Sequence, residues 1–312
     1  MSSLTAQFGG PITRLKLFLA LSRTPHGLLD MTMPVAAALL WLGHFPPLGV
    51  ALLGLFTVFA GYTAVYAVND LADLKVDRDN YQGGRGDTSG YLDAVYARHP
   101  MAMGLLTRRE GLIWTACWGV AALVGAYVLN PVCAWLLLAG CALEVVYCML
   151  LKVSHLRSLV NAIVKSLGGV AAILAVDPGA PWWFPALLLL TTSAWEVGGQ
   201  NIPADWFDLE EDQRQGARTL CVALGVDHAG TVAYYCLCGV VVGTLALLLA
   251  APMGFGLVGA LLGAGLIGWL LLPPGLALFR RKGRGEAAAL FNRASYFPVV
   301  LLGFLLAWML FV

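Results

Sequence analysis

Charge is scarce in this sequence. Only 12% of its 312 residues are Asp, Glu, Lys or Arg, where a soluble globular domain carries about a quarter. Hydrophobic residues make up 59% and the mean hydropathy is +0.78, which excludes an ordinary soluble domain. Histidine is sparse as well, and the five present show no metal-ligand spacing. The seven cysteines lie mostly within apolar runs; Cys236-x-Cys238 sets its thiols on different faces of a helix, which reads as packing rather than a metal or redox pair. No phosphate-loop spacing is present. The N-terminus lacks the short apolar core and small-residue cleavage site of a removed signal. A net charge of +1 says nothing about partners.

What the chain does contain is long apolar runs, each able to cross a bilayer as a helix of about 20 residues. Nine are expected, at about 26–43, 46–68, 111–129, 131–151, 158–176, 181–200, 228–250, 254–272 and 290–311. Short polar breaks separate them at His44–Pro47, Asn130–Pro131, Asp177–Pro181 and Ala251–Met253. Arg14, Lys16 and Arg23 precede the first run. The other basic residues fall in the breaks after runs 2, 4, 6 and 8, apart from Lys165 and Arg293. The positive-inside rule then sets the N-terminus in the cytoplasm and the C-terminus outside.

Against this background two acidic stretches stand out, "VYAVNDLADLKVDRDN" (65–80) and "NIPADWFDLEEDQRQG" (201–216). Asp70, Asp73 and Asp77 recur at the same spacing as Asp205, Asp208 and Asp212, each 135 residues later. That offset spans four helices, so both clusters emerge on one side. It suggests a single domain, 1–312, made of two four-helix halves (about 20–151 and 155–272) and a ninth helix, 290–312. At about 100° per residue, positions i, i+3 and i+7 fall within an arc of about 60°. Three carboxylates on one face repel each other unless a cation lies between them. Hard oxygen ligands of this kind suit Mg²⁺ shared with substrate phosphates. Two such faces across a cavity would hold a diphosphate for ionisation, and an apolar membrane pocket would shield the resulting carbocation and its tail.

The paired motifs resemble the UbiA superfamily of intramembrane prenyltransferases. Asn69-Asp70-x-x-Asp73-x-x-x-Asp77 is similar to the family's first acidic motif, and Asp205-x-x-Asp208-x-x-x-Asp212 to its second. Gly216, Arg218-Thr219-Leu220 and Leu224-Gly225 continue in the same manner, and Arg23-Thr24-Pro25 is similar to the segment ahead of the family's first helix. Two departures are visible. "RHPMAMGLL" (98–106) follows an extra loop, 80–97, and has His99 where the family commonly has Arg; Gln213 stands where another Arg is common.

The resemblance implies an all-α integral membrane enzyme with its helices around a central cavity. It would move a polyprenyl group from its diphosphate to an acceptor entering from the cytoplasmic side. A hydroxybenzoate-like aromatic acid in quinone or related lipid biosynthesis is the expected acceptor, and the cell's inner (plasma) membrane the expected site. The six aspartates would be catalytic and hold Mg²⁺. Asn69, Arg78, Lys152, Arg157, Arg214, Tyr147 and Asn161 would contact substrate. No nucleic acid or protein partner is implied. Asp30, Glu144, Lys165 and Glu196 are ionisable groups inside spans; Asn161 and Lys165 share a face, and a Lys165–Glu pair is one structural reading of them. Loop 80–97 reads as a lid over the cytoplasmic mouth. The rivals are a UbiA-type terpene cyclase with the same acidic motifs and a divalent-cation transporter. The transporter would need intramembrane acids at matching positions of both halves, and Glu144 and Glu196 are not related by the offset.

Overall fold

The computed structural model describes residues 11–72, 74–75, 78, 97 and 99–311; Asp73, Asp77, Arg98 and nearly all of loop 80–97 lie outside the described residues. Described residues form helices and no strands. The N-terminal part contains α1 (Pro11–Leu21), α2 (Thr24–Asp30), α3 (Thr32–Leu42), α4 (Leu48–Ala72), α5 (Arg108–Leu129), α6 (Pro131–Met149) and α7 (Arg157–Val176). After these come α8 (Trp183–Trp195), a π-helical segment (Glu196–Asn201), α9 (Ile202–Phe207) and α10 (Leu209–Gln215). The chain ends with α11 (Leu220–Ala250), α12 (Gly256–Arg281), α13 (Arg284–Ala294) and α14 (Phe297–Phe311).

Local chemistry sets the helix ends. Thr107 and Glu110 form a reciprocal capping box at the start of α5. The Asn130 side chain accepts from Val132 N at 3.0 Å and Pro131 occupies the first turn, so the chain reverses between α5 and α6 as its Asn-Pro pair suggests. After α7 the Asp177 carboxylate accepts from Gly179 N and from Trp41 Nε1, both at 2.9 Å, which ties that turn to α3.

Seven helical stretches are long and apolar enough to cross a membrane: α4, α5, α6, α7, α11, α12 and the α13–α14 stretch. The first and sixth expected spans are segmented instead. Pro34 has no N–H to give the carbonyl of Asp30, and the chain turns at Met31 between α2 and α3. Pro203 likewise leaves the carbonyl of Gly199 without its usual donor, and the chain there widens into the π segment.

α4 packs on α5, α6 on α7, and α11 on α12; α7 also contacts α3 and α8, and α14 packs against α3 and α12 to close the bundle. The main core runs from Phe184 and Leu188 on α8 through Leu237 and Val240 on α11 to Ile267 and Leu271 on α12 and Phe297 and Leu301 on α14. Close approaches use small residues: a Cβ on Gly125 would lie 2.1 Å from Thr57 Oγ1 of α4. Outward faces carry exposed Leu52, Val120, Val124, Trp135, Leu190, Val242 and Trp269, the kind of surface that lipid rather than water solvates.

Candidate active site

Asp70 sits near the C-terminal end of α4, 3% exposed. His99 Nδ1 lies 2.8 Å from its Oδ1, and Arg23 Nη2 lies 3.8 Å from the same oxygen. Both partners take left-handed backbone conformations (φ 57° at His99, φ 43° at Arg23), which a non-glycine residue adopts at some cost. His99 thus meets the first acidic motif at a position where the related pattern has Arg. Neither His99 nor Arg23 was among the expected contact residues. Asn69 is half-buried beside Asp70, Arg78 is exposed, and Asp73 and Asp77 lie outside the described residues.

The second motif differs from the single helical face its spacing predicts. Asp205 is in α9 and Asp212 in α10, and the helix breaks at Asp208 (φ −98°, ψ 12°). Glu210, Glu211 and Asp212 fill the first turn of α10, where negative charge favours a helix N-terminus and so supports a restart. Asp205 Oδ2 accepts from Leu220 N at 3.3 Å. Burial, and then the negative charge of Asp212, push its carboxyl up to about 8; burial lifts Asp212 to about 6. Arg157 opposes both shifts, and its guanidinium lies 4.1 Å from the centre of the Tyr147 ring. The structure therefore brings Arg157 to the second motif, with Tyr147 against its guanidinium. Lys152 is exposed, and Arg214 is turned to Glu210 at 3.2 Å.

Asn161 is committed within the bundle: its Nδ2 donates to Asn201 Oδ1 at 2.8 Å and to Glu196 Oε1 at 3.3 Å. Lys165 donates to Asp30 Oδ2 at 2.8 Å, so its direct carboxylate partner is Asp30 rather than a Glu. Between α3, α4, α5, α6 and α7 lies a cavity of about 330 Å³. Tyr62 and Lys165 line it together with Leu55, Leu136 and Leu167, and Phe45, Leu129 and Val176 also border it. Tyr62 precedes Asp70 by two helical turns on α4.

The donor set suits a hard divalent cation. Asp205 and Asp212 are carboxylates lifted by burial and by neighbouring acids, with Arg157 opposing the rise, an arrangement that a cation would relieve. Among the described residues no group of three His, Cys, Asp or Glu side chains converges on one point. Mg²⁺ needs only one or two protein carboxylates when phosphate oxygens complete its shell.

A helical bundle with seven stretches able to cross a membrane, two acidic motifs and an apolar cavity is the architecture of an intramembrane transferase of prenyl groups. The chain belongs to the UbiA prenyltransferase family, whose model matches residues 31–298, and is a prenyltransferase. It is 24% identical over 255 residues to digeranylgeranylglyceryl phosphate synthase of Thermococcus sibiricus, covering 82% of this chain and 85% of that one. It is 27% identical over 218 residues to 4-hydroxybenzoate octaprenyltransferase of Shewanella sediminis, covering 68% and 70%. The fold matches that of a UbiA homolog from Archaeoglobus fulgidus bound to GPP and Mg²⁺, with a TM-score of 0.64, 17% identity, and coverage of 94% of this chain and 99% of that one.

Proposed function

We propose that this protein transfers a polyprenyl group from its diphosphate, with Mg²⁺, to a small acceptor, of which a hydroxybenzoate-like aromatic acid is the first choice. The observation that carries the reading is the pairing of two acidic motifs, each beside an arginine (Arg23 at Asp70, Arg157 at Asp205 and Asp212), with an apolar cavity starting two turns below Asp70. Mg²⁺, held by aspartates among Asp70, Asp73, Asp77, Asp205, Asp208 and Asp212, would supply Lewis-acid stabilisation of the leaving diphosphate.

The chain's own groups do the rest. Arg23 and Arg157 would place positive charge where the diphosphate gains negative charge as the C1–O bond breaks, and His99 holds Asp70 in place. The cavity takes the isoprenoid tail and keeps water from the cation. A ring carbon next to the acceptor's hydroxyl then forms the bond to C1 and loses its proton. Tyr147 lies with its ring against Arg157 and would contact substrate from there. Lys152, Arg78 and Arg214 are exposed and would guide anionic substrates in. Nine crossings, six of them single helices and three segmented (26–43, 181–200 and 290–311), fit an N-terminus and both acidic motifs in the cytoplasm and a C-terminus outside, in the plasma membrane.

The test is mass analysis of products from purified protein, Mg²⁺ and labelled geranylgeranyl diphosphate, with hydroxybenzoates and glycerol-phosphate ethers as acceptors. The proposal expects a prenylated aromatic acid that chelation of the metal abolishes. A prenylated glycerol phosphate alone would replace the acceptor, a cyclised hydrocarbon formed without acceptor would favour the cyclase, and no product at all would defeat the reading.

A further inference from the structure

α7 carries two polar side chains one turn apart; Lys165 holds α4, which bears Asp70, and Asn161 holds the π segment that leads into Asp205. Lys165 donates to Asp30 Oδ2 at 2.8 Å and makes a short contact with the Tyr66 hydroxyl, which itself donates to Asp30 Oδ2 at 2.5 Å. Its ammonium also lies 4.3 Å from the centre of the Tyr66 ring. Tyr66 is one turn before Asp70 on α4. On the other side Asn161 donates to Asn201 Oδ1 at 2.8 Å, and Asn201 Nδ2 donates to Ser158 O at 3.1 Å. Asn201 ends the π segment, four residues before Asp205.

The sequence numbers of these residues carry a pattern. Lys165 and Asp30 stand 135 residues apart, as do Asn201 and Tyr66, Asn161 and His26, and Asp205 and Asp70. Each half therefore uses the same position, four residues before its aspartate, as the grip. Position 30 of the first half meets position 165 of the second directly, as equivalent residues beside a two-fold axis would.

We infer that Lys165, with Asp30 and Tyr66, and Asn161, with Asn201, are positioning residues that set the two acidic motifs at the spacing needed to share one diphosphate. This rests on the proposed function. A charged pair in an apolar bundle is costly, and small residues would pack the same helices without it. What the pair adds is direction: two hydrogen bonds meeting at Asp30, closed by the Lys165–Tyr66 contact, fix the rotation and height of α4 against α7, which apolar packing leaves loose. A fixed rotation decides whether Asp70 faces Asp205.

The experiment measures binding of Mn²⁺ with inorganic pyrophosphate to the full-length protein in detergent, by the loss of the free-ion electron paramagnetic resonance signal. Size exclusion reports folding. Lys165→Met and Asn161→Ala should each weaken binding by about 10-fold or more, the loss typical when an outer partner of a metal ligand is removed. Exchanging the pair, Asp30→Lys with Lys165→Asp, should bring affinity back to within about 3-fold of the original protein, because the two positions are equivalent. Near-original affinity in Lys165→Met, or an exchanged pair no better than Lys165→Asp alone, would overturn the inference. Should Lys165→Met not fold, Asn161→Ala and the exchanged pair decide by the same criteria. Protein that binds the probe yet prenylates no acceptor counts against the proposed function alone; protein that does not bind it overturns both.

Discussion

At the residue scale, Asp70 is the more enclosed of the two motif-leading aspartates, and its nearest partner is a histidine. An imidazole 2.8 Å from the carboxylate holds it in place and, when protonated, adds positive charge beside the leaving group. His99→Ala should lower kcat/KM for the prenyl donor by about 10-fold, the lower end for loss of such an outer partner, while His99→Arg should retain most of it. Equal loss in both variants would contradict a role in placing charge. The aspartates were legible in the sequence because their spacing repeats. His99 and Arg23 were not assigned to Asp70 because they come to it through the fold, from 29 residues downstream and 47 upstream. The one available hint was that His99 stands at the family's arginine position. Arg214 shows the reverse: it lies close to Asp212 in sequence, yet an i,i+4 pair with Glu210 turns it away.

At the element scale, the π segment between α8 and α9 positions the second motif. Gly198 within it packs so closely on α11 that an added Cβ would lie 2.6 Å from Cys236 Cβ and 2.8 Å from the Ala233 carbonyl oxygen. Gly198→Ala should cost about 1–3 kcal/mol, as overpacking does, and should lower turnover as well because Asn201 and Asp205 follow within two turns. A thermal melt in detergent checks the first effect and donor turnover the second. At the other end of the scale, Thr107→Ala removes the α5 capping box, which includes no motif residue. It should cost about 1 kcal/mol with little change in turnover. The uninterrupted helices were legible from apolar run length alone, and the breaks at Asn130 and Asp177 from turn chemistry. The breaks at Met31, the π segment and Asp208 were not, because each follows from a backbone bond missing to a proline or from acids gathered one turn further on. These are local events inside a run whose composition still reads as continuous.

At the scale of the whole molecule, the proposed topology makes a direct prediction. Single cysteines placed at Gly283 and Gly179 in a protein without its native cysteines should react with an impermeant thiol reagent from opposite faces, Gly283 from the cytoplasm. Labelling of both from one face would contradict the arrangement drawn from the basic residues. The same topology brings the two acidic motifs to one end of the bundle, and the central claim is that they act there as one unit on a single diphosphate. The measurement that tests it most directly is the rate of diphosphate release from labelled geranylgeranyl diphosphate at saturating Mg²⁺, in Asp70→Asn, Asp205→Asn and the double variant. The account predicts that each single variant falls by about 100-fold or more and that the double variant is little worse, since losses from groups acting together do not add. Near-full release in either single variant, or losses that multiply in the double, would contradict it.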